Sequence, residues 1–343
     1  MKKQTVVRVA YFDLLNIISC FSVVILHCNG YVHTLNHFGA WGVRVFYEVA
    51  FYFAVPVFFM LSGATLLDYR AKYDTKAYFT KRLRRTFLPF VIFSILFSAI
   101  SWMQTMRAGG SLPNLNGVMG SILMTKVPGT VYWFFIPLFL LYLVFPILSL
   151  AVERMSDKMM FYTCGLLAGF EVLLPFVFTF APPNVRLTNH LPIGGYLVYS
   201  LWGYALSHGR IRINGRWLGL MIGISVFSVA YRATLLNYTT EHLPQYFDYM
   251  GIYAFFPSVT LFSLAQRCEP LLAGGTKVLK SLAGLSLGVY LVHYFIYQEM
   301  ALHLMLNETS WYYTLVMALP VYLIAATVTW LIRRVRWTRW LLP

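Results

Sequence analysis

Runs of about twenty apolar residues recur roughly ten times along this chain, and each is long enough to cross the hydrocarbon core of a bilayer as an α-helix. They fall near 9–28, 48–67, 86–106, 130–150, 159–180, 192–208, 216–236, 246–266, 280–299 and 312–332. A backbone inside hydrocarbon has to satisfy its own hydrogen bonds, so the pattern predicts an all-α polytopic bundle. The connecting loops stay under about 25 residues, too short for a separate catalytic domain outside the membrane. The chain therefore reads as a single transmembrane domain over 1–343. Composition agrees: of 343 residues, 59% are hydrophobic and only 11% are charged. A water-soluble domain of this length carries far more polar surface.

The formal net charge of +15 raises the question of an acidic partner. Placement answers it. With ten spans and a cytoplasmic N-terminus, roughly 22 of the 27 Lys and Arg fall in cytoplasmic segments, a strong positive-inside bias that also puts the C-terminus in the cytoplasm. The densest clusters are RAKYDTKAYFTKRLRR (70–85), GRIRINGR (209–216) and RRVRWTR (333–339). Topology accounts for the charge, and nucleic acid is not expected as a partner. The start, MKKQTVVRVAYF, leads into an apolar run with no small-x-small cleavage site, so it reads as a retained first span. Cys20, Cys28, Cys164 and Cys268 have neither CxxC nor metal-type spacing, and no metal is expected.

Polar residues within the spans carry the functional signal, because facing lipid would leave them unsatisfied. In YFDLLNIISCFSVVILHC (11–28), Asp13, Asn16, Cys20 and His27 fall within about 60° of one another at 100° per residue. Asn16 and His27 are about 16 Å apart along the axis, so they line one inward stripe without touching. Asp13 reads equally as a helix-start residue favoured by the dipole. At the cytoplasmic start of the third span, Arg82 and Arg85 share a face at i, i+3. Two guanidinium forks at a helix N-terminus suit phosphate; the plain alternative is a lipid-headgroup anchor. Further candidates are Ser62, beside Gly63 where a helix can approach closely, and Tyr132 and Trp133 in an aromatic belt. Glu171 sits in mid-span, and Ser286, Tyr290 and His293 form a second stripe. Signatures of soluble enzymes, such as GxSxG, HExxH and the P-loop, are absent. A polar path through a bundle serves either group transfer or passage of a solute, so a transporter or flippase is the alternative function. No internal repeat supports that alternative.

Five segments, in order, resemble the membrane-bound acyltransferase 3 family: YFDLLNIISCFSVVILH, VPVFFMLSG, KRLRRTFLPF, WFFIPLFLLYLVFPIL and LSLGVYLVH. The resemblance implies a ten-helix core that takes an acyl group, usually acetyl, from cytoplasmic acyl-CoA. It passes that group to a hydroxyl of a cell-surface or lipid-linked glycan in a bacterial-type cell membrane. Acetyl-CoA is then a co-substrate, with no permanently bound cofactor. The family's arginine–ten residues–histidine pattern maps onto Asn16 and His27, so the histidine is present and the arginine is not. At 100° per residue Arg8 falls about 80° round the helix from Asn16, outside the stripe, and is a poor substitute. The resemblance implies that His27, with Asp13 and Asn16, carries catalysis, His27 acting as base or as acyl carrier. Arg82 and Arg85 would hold the donor's phosphates, and Ser62, Tyr132, Trp133, Glu171, Ser286, Tyr290 and His293 are cavity candidates.

Overall fold

A computed structural model describes residues 9–33, 40–111, 114, 116–118, 131–180, 195–237, 248–304 and 306–342. Arg8 lies outside the described residues. The first apolar run forms α1 (Ala10–His27), and no side chain of its own caps its first turn. Glu269 does so from the far end of the chain, accepting the backbone N–H of Ala10 at 2.9 Å and of Tyr11 at 2.6 Å. A carboxylate on two of the orphan donors of a helix start satisfies them and complements the dipole.

The second run is a broken span, α2 (Trp41–Phe51) followed by α3 (Ala54–Leu66). The third begins at α4 (Thr75–Arg82), where the Asp74 side chain accepts the Ala77 N–H at 2.7 Å. It continues through a π turn, Leu83–Phe87, into α5 (Leu88–Arg107). Next come α6 (Phe135–Arg154), then α7 (Asp157–Ala168), a second π turn at Gly169–Leu173, and α8 (Leu174–Phe178). Both π turns end two residues before a proline, Pro89 and Pro175. A proline has no N–H and its ring crowds the carbonyl four residues back, so a widened turn lets the helix continue.

The last third contains α9 (Leu197–Ser207), α10 (Gly215–Asn237) and α11 (Ile252–Arg267). A 3₁₀ turn, Glu269–Gly275, leads to α12 (Thr276–Ala283), α13 (Ser286–Leu304) and α14 (Tyr313–Arg334). Among the described residues, seven helical segments are long and apolar enough to cross a membrane, or eight if α12 and α13, bent by 50° with respect to each other, count as one broken span. Of the ten expected runs, those near 192–208 and 246–266 fall short among the described residues. There α9 has 11 residues and α11 has 16.

α1 is the hub, in contact with α2, α3, α11, α12, α13 and α14. α3 crosses α9 with almost no gap: a Cβ on Gly63 would stand 1.8 Å from the Ser200 carbonyl oxygen, and one on Gly203 2.1 Å from that of Met60. The close approach expected beside Ser62 is thus made by Gly63, with a second glycine on the partner helix. The outer helices show large apolar side chains around their rims, such as Leu143, Ile147, Phe161 and Val226, all exposed. Patches of that size suit a lipid environment rather than water.

Candidate active site

α1 and α13 run parallel in constant register. The Cys20 thiol contacts the Ser286 carbonyl oxygen at 3.6 Å, and seven residues further on, on both helices, His27 Nδ1 meets His293 Nε2 at 2.7 Å. Two turns of helix separate the contacts, the repeat that keeps one face of a helix against a parallel neighbour. The two imidazoles are stacked, with ring centroids 5.0 Å apart.

The second nitrogen of His293 determines where the protons sit. His293 Nδ1 lies 2.8 Å from the Tyr290 carbonyl oxygen and 3.0 Å from that of Val289. A carbonyl only accepts, so this nitrogen carries the hydrogen, and a neutral His293 offers a lone pair at Nε2. The short bond then takes its hydrogen from His27 Nδ1, which leaves the lone pair of His27 at Nε2. His293 is fully buried and His27 half-buried. The pair is thus an oriented imidazole with its tautomer fixed from behind, the arrangement of a general base or nucleophile.

Below the pair, toward the N-terminal end of α1, a cavity of about 750 Å³ opens between α1, α3, α6 and α13. This lies within the 300–1,000 Å³ common for ligand sites. Asp13, Asn16, Ser62, Arg82, Arg85, Ser286 and Tyr290 all line it. The match to a family model described as an acyltransferase domain, over residues 9–340, decides the class of chemistry. The protein belongs to the acyltransferase 3 family. No curated protein and no solved structure matches the chain. As a family member it is a membrane-embedded acyltransferase, and the cavity and histidine pair are its candidate machinery.

Several sequence expectations take a different form in this acyltransferase. The α1 stripe divides, with Asp13 and Asn16 lining the cavity and His27 lying beyond its lining. Tyr290 lies between the two regions: it lines the cavity, and its ring centroid is 5.7 Å from that of His293. Its hydroxyl donates to the Val131 carbonyl at 2.9 Å, while Tyr132 donates to the Leu291 carbonyl at 2.5 Å, so the two tyrosines lace α13 to the start of α6. Arg82 and Arg85 lie two to three turns inside a helix that begins at Thr75, not at its N-terminus. The dipole fades beyond the first turn, so any attraction for phosphate there comes from the guanidinium groups alone. Of the KRLRR cluster, only these two line the cavity; Lys81 sits over the Tyr73 ring instead. The Arg82 Nε is buried without a hydrogen bond.

At the deep end, Asn16 Oδ1 and Ser286 Oγ are buried without partners, which leaves two polar atoms for a ligand to satisfy. Ser62 already donates to the Phe58 carbonyl at 2.9 Å. Trp133 stacks on Tyr249 outside the cavity, and Glu171 is buried in the π turn before α8, on another part of the bundle. Sequence reasoning missed the mouth residues Asp68 and His208, whose side chains lie 3.5 Å apart, because no spacing rule links α3 to α9. It also missed Asn29, which joins the Arg44 carbonyl and the Glu48 carboxylate, both at 2.9 Å, to the Thr314 hydroxyl at 3.0 Å. The pairing of His27 with His293 did have a signal. Cys20 to His27 and Ser286 to His293 are both steps of seven.

Proposed function

We propose that the protein is a membrane O-acyltransferase that moves an acyl group, acetyl by family resemblance, from cytoplasmic acyl-CoA to a hydroxyl of a cell-surface or lipid-linked glycan. It sits as ten spans in a bacterial-type cell membrane with both termini in the cytoplasm, α9 and α11 each belonging to a span. The observation that carries the reading is the 2.7 Å bond between His27 and His293, which leaves His27 with a fixed lone pair close to a cavity with two arginines at its mouth.

The chemistry follows from those parts. Arg82 and Arg85 hold the donor's phosphates, and the acylated arm runs up the cavity past Asn16 and Ser286, whose unbonded polar atoms suit its amides. Tyr290, between the cavity and the histidines, is the side chain the thioester passes to reach them. His27 Nε2 takes the proton of the acceptor hydroxyl as its oxygen attacks the thioester carbon. The carbon–sulfur bond breaks, and the leaving thiolate takes the proton back from His27, giving an ester and free CoA. His293 accepts from His27 Nδ1–H throughout, so it is a positioning residue that stabilises the imidazolium.

Membranes containing the protein should consume acetyl-CoA and acetylate a glycan, measured by thiol release and by mass spectrometry of surface glycans. His27→Ala should lower turnover about 10²- to 10⁴-fold, the usual worth of a general base. His293→Ala should also impair kcat, and His293→Gln, whose carbonyl still accepts from Nδ1–H, should recover part of it. Full turnover in His27→Ala, or solute movement across vesicles without acyl-CoA consumption, would overturn the reading.

A further inference from the structure

A second cleft, of about 380 Å³, opens between α12 and the end of α14, away from the acyl-transfer cavity. Lys277, Lys280, Arg333 and Arg334 line it, and among the described residues no acidic one does. Its remaining walls are Leu285 and Trp330, with Ser281 between them. Arg333 is partly committed, donating to the Gly284 carbonyl at 2.7 Å, and Arg334 stacks over Trp330 at 4.6 Å. Both lysines lack an acid within salt-bridge reach among the described residues.

The apolar surroundings narrow the ligand. α12 is turned 50° from α13 and is amphipathic. Lys277 and Lys280 occupy one side, and Val278 and Leu282 lie roughly opposite at 100° per residue. Val278 is 63% exposed and Leu271, just before it, is 83% exposed. Trp337, beyond α14, is 85% exposed. A short amphipathic helix with outward aliphatics, next to exposed tryptophans, lies in a membrane interface. The cleft thus offers cations for a phosphate, with Leu285 and Trp330 as its apolar walls, on a helix whose other face meets the acyl region.

We infer that this cleft binds the headgroup of an anionic phospholipid, with its acyl chains leaving past the apolar walls Leu285 and Trp330. The lipid then wedges α12 against α14 and steadies the Glu269 turn that caps α1. This inference is independent of the acyl-transfer reading, because none of its residues lines the larger cavity.

The test is native mass spectrometry of the full-length protein, released from detergent with phosphatidylglycerol or phosphatidylcholine of matched chains. The wild type should retain phosphatidylglycerol selectively. Removing cations in the variant Lys277→Gln/Lys280→Gln/Arg334→Gln should cut retention about fivefold for each one removed. The charge-keeping variant Lys277→Arg/Lys280→Arg should keep it, which separates loss of charge from loss of fold. Equal retention of the two lipids by the wild type, or unchanged retention in the Gln variant, would overturn the inference. Displacement of the lipid by inorganic phosphate or by acetyl-CoA would also overturn it, marking the cleft as a simple anion or donor site.

Discussion

Asn16 stands where the resemblance implies an arginine, and the structure gives it a position. It faces the cavity beside Ser286, with its Oδ1 buried and unbonded. An amide there donates and accepts but brings no fixed charge, so it suits the neutral arm of a thioester donor more than its phosphates. In the proposed mechanism the donor's phosphates fall to Arg82 and Arg85. Replacing both with Gln should raise the donor KM about ten- to a hundredfold, the worth of one or two charge-assisted bonds, with kcat little changed. Unchanged donor dependence in steady-state kinetics would reduce them to membrane anchors. Asn16→Ala should act in the same direction but more weakly, as the loss of neutral hydrogen bonds. At this scale the sequence was informative about which residues face inward, because helical phase follows from spacing alone. Contacts between helices distant in sequence, such as that of Asp68 with His208, were beyond its reach.

Among the elements, the crossing of α3 and α9 is the tightest contact and gives the sharpest test. Gly63→Ala would place a methyl group 1.8 Å from a backbone oxygen that cannot swing away. The two helices have to part, and overpacking of this kind costs about 1–3 kcal/mol. Thermal unfolding in detergent should therefore show a clear loss for Gly63→Ala and for Gly203→Ala, while Gly219→Ala, in open space on α10, should change little. The apolar runs were legible as helices because their length alone demands it. Their breaks were not. The π turns before Pro89 and Pro175 and the bend before α13 arise from how backbone carbonyls meet a proline or a neighbour, which hydropathy does not record. Hydropathy puts the third span at 86–106 with Arg82 and Arg85 at its cytoplasmic start, because charge marks the membrane edge, yet the helix begins at Thr75, where Asp74 caps it.

For the whole molecule, the ten-span reading with both termini in the cytoplasm has a direct check. A reporter that folds only in the cytoplasm should be active when fused after residue 343 and inactive when fused after residue 111. Activity at both points would overturn the topology. The central placement of α1 also has a mechanical consequence. Its lower end is tied to Glu269 and its upper end to His293, and both belong to one stretch of chain, 269–304. Bilayers of different thickness tilt or bend the helices they surround. Here the helices most exposed to that deformation are the peripheral ones, whereas the two histidines are gauged against each other by a parallel pair fastened at both ends. The spacing of the two imidazoles is thereby set by that pair and not by the peripheral helices. The peripheral helices can then tilt or repack without changing the distance between the two rings.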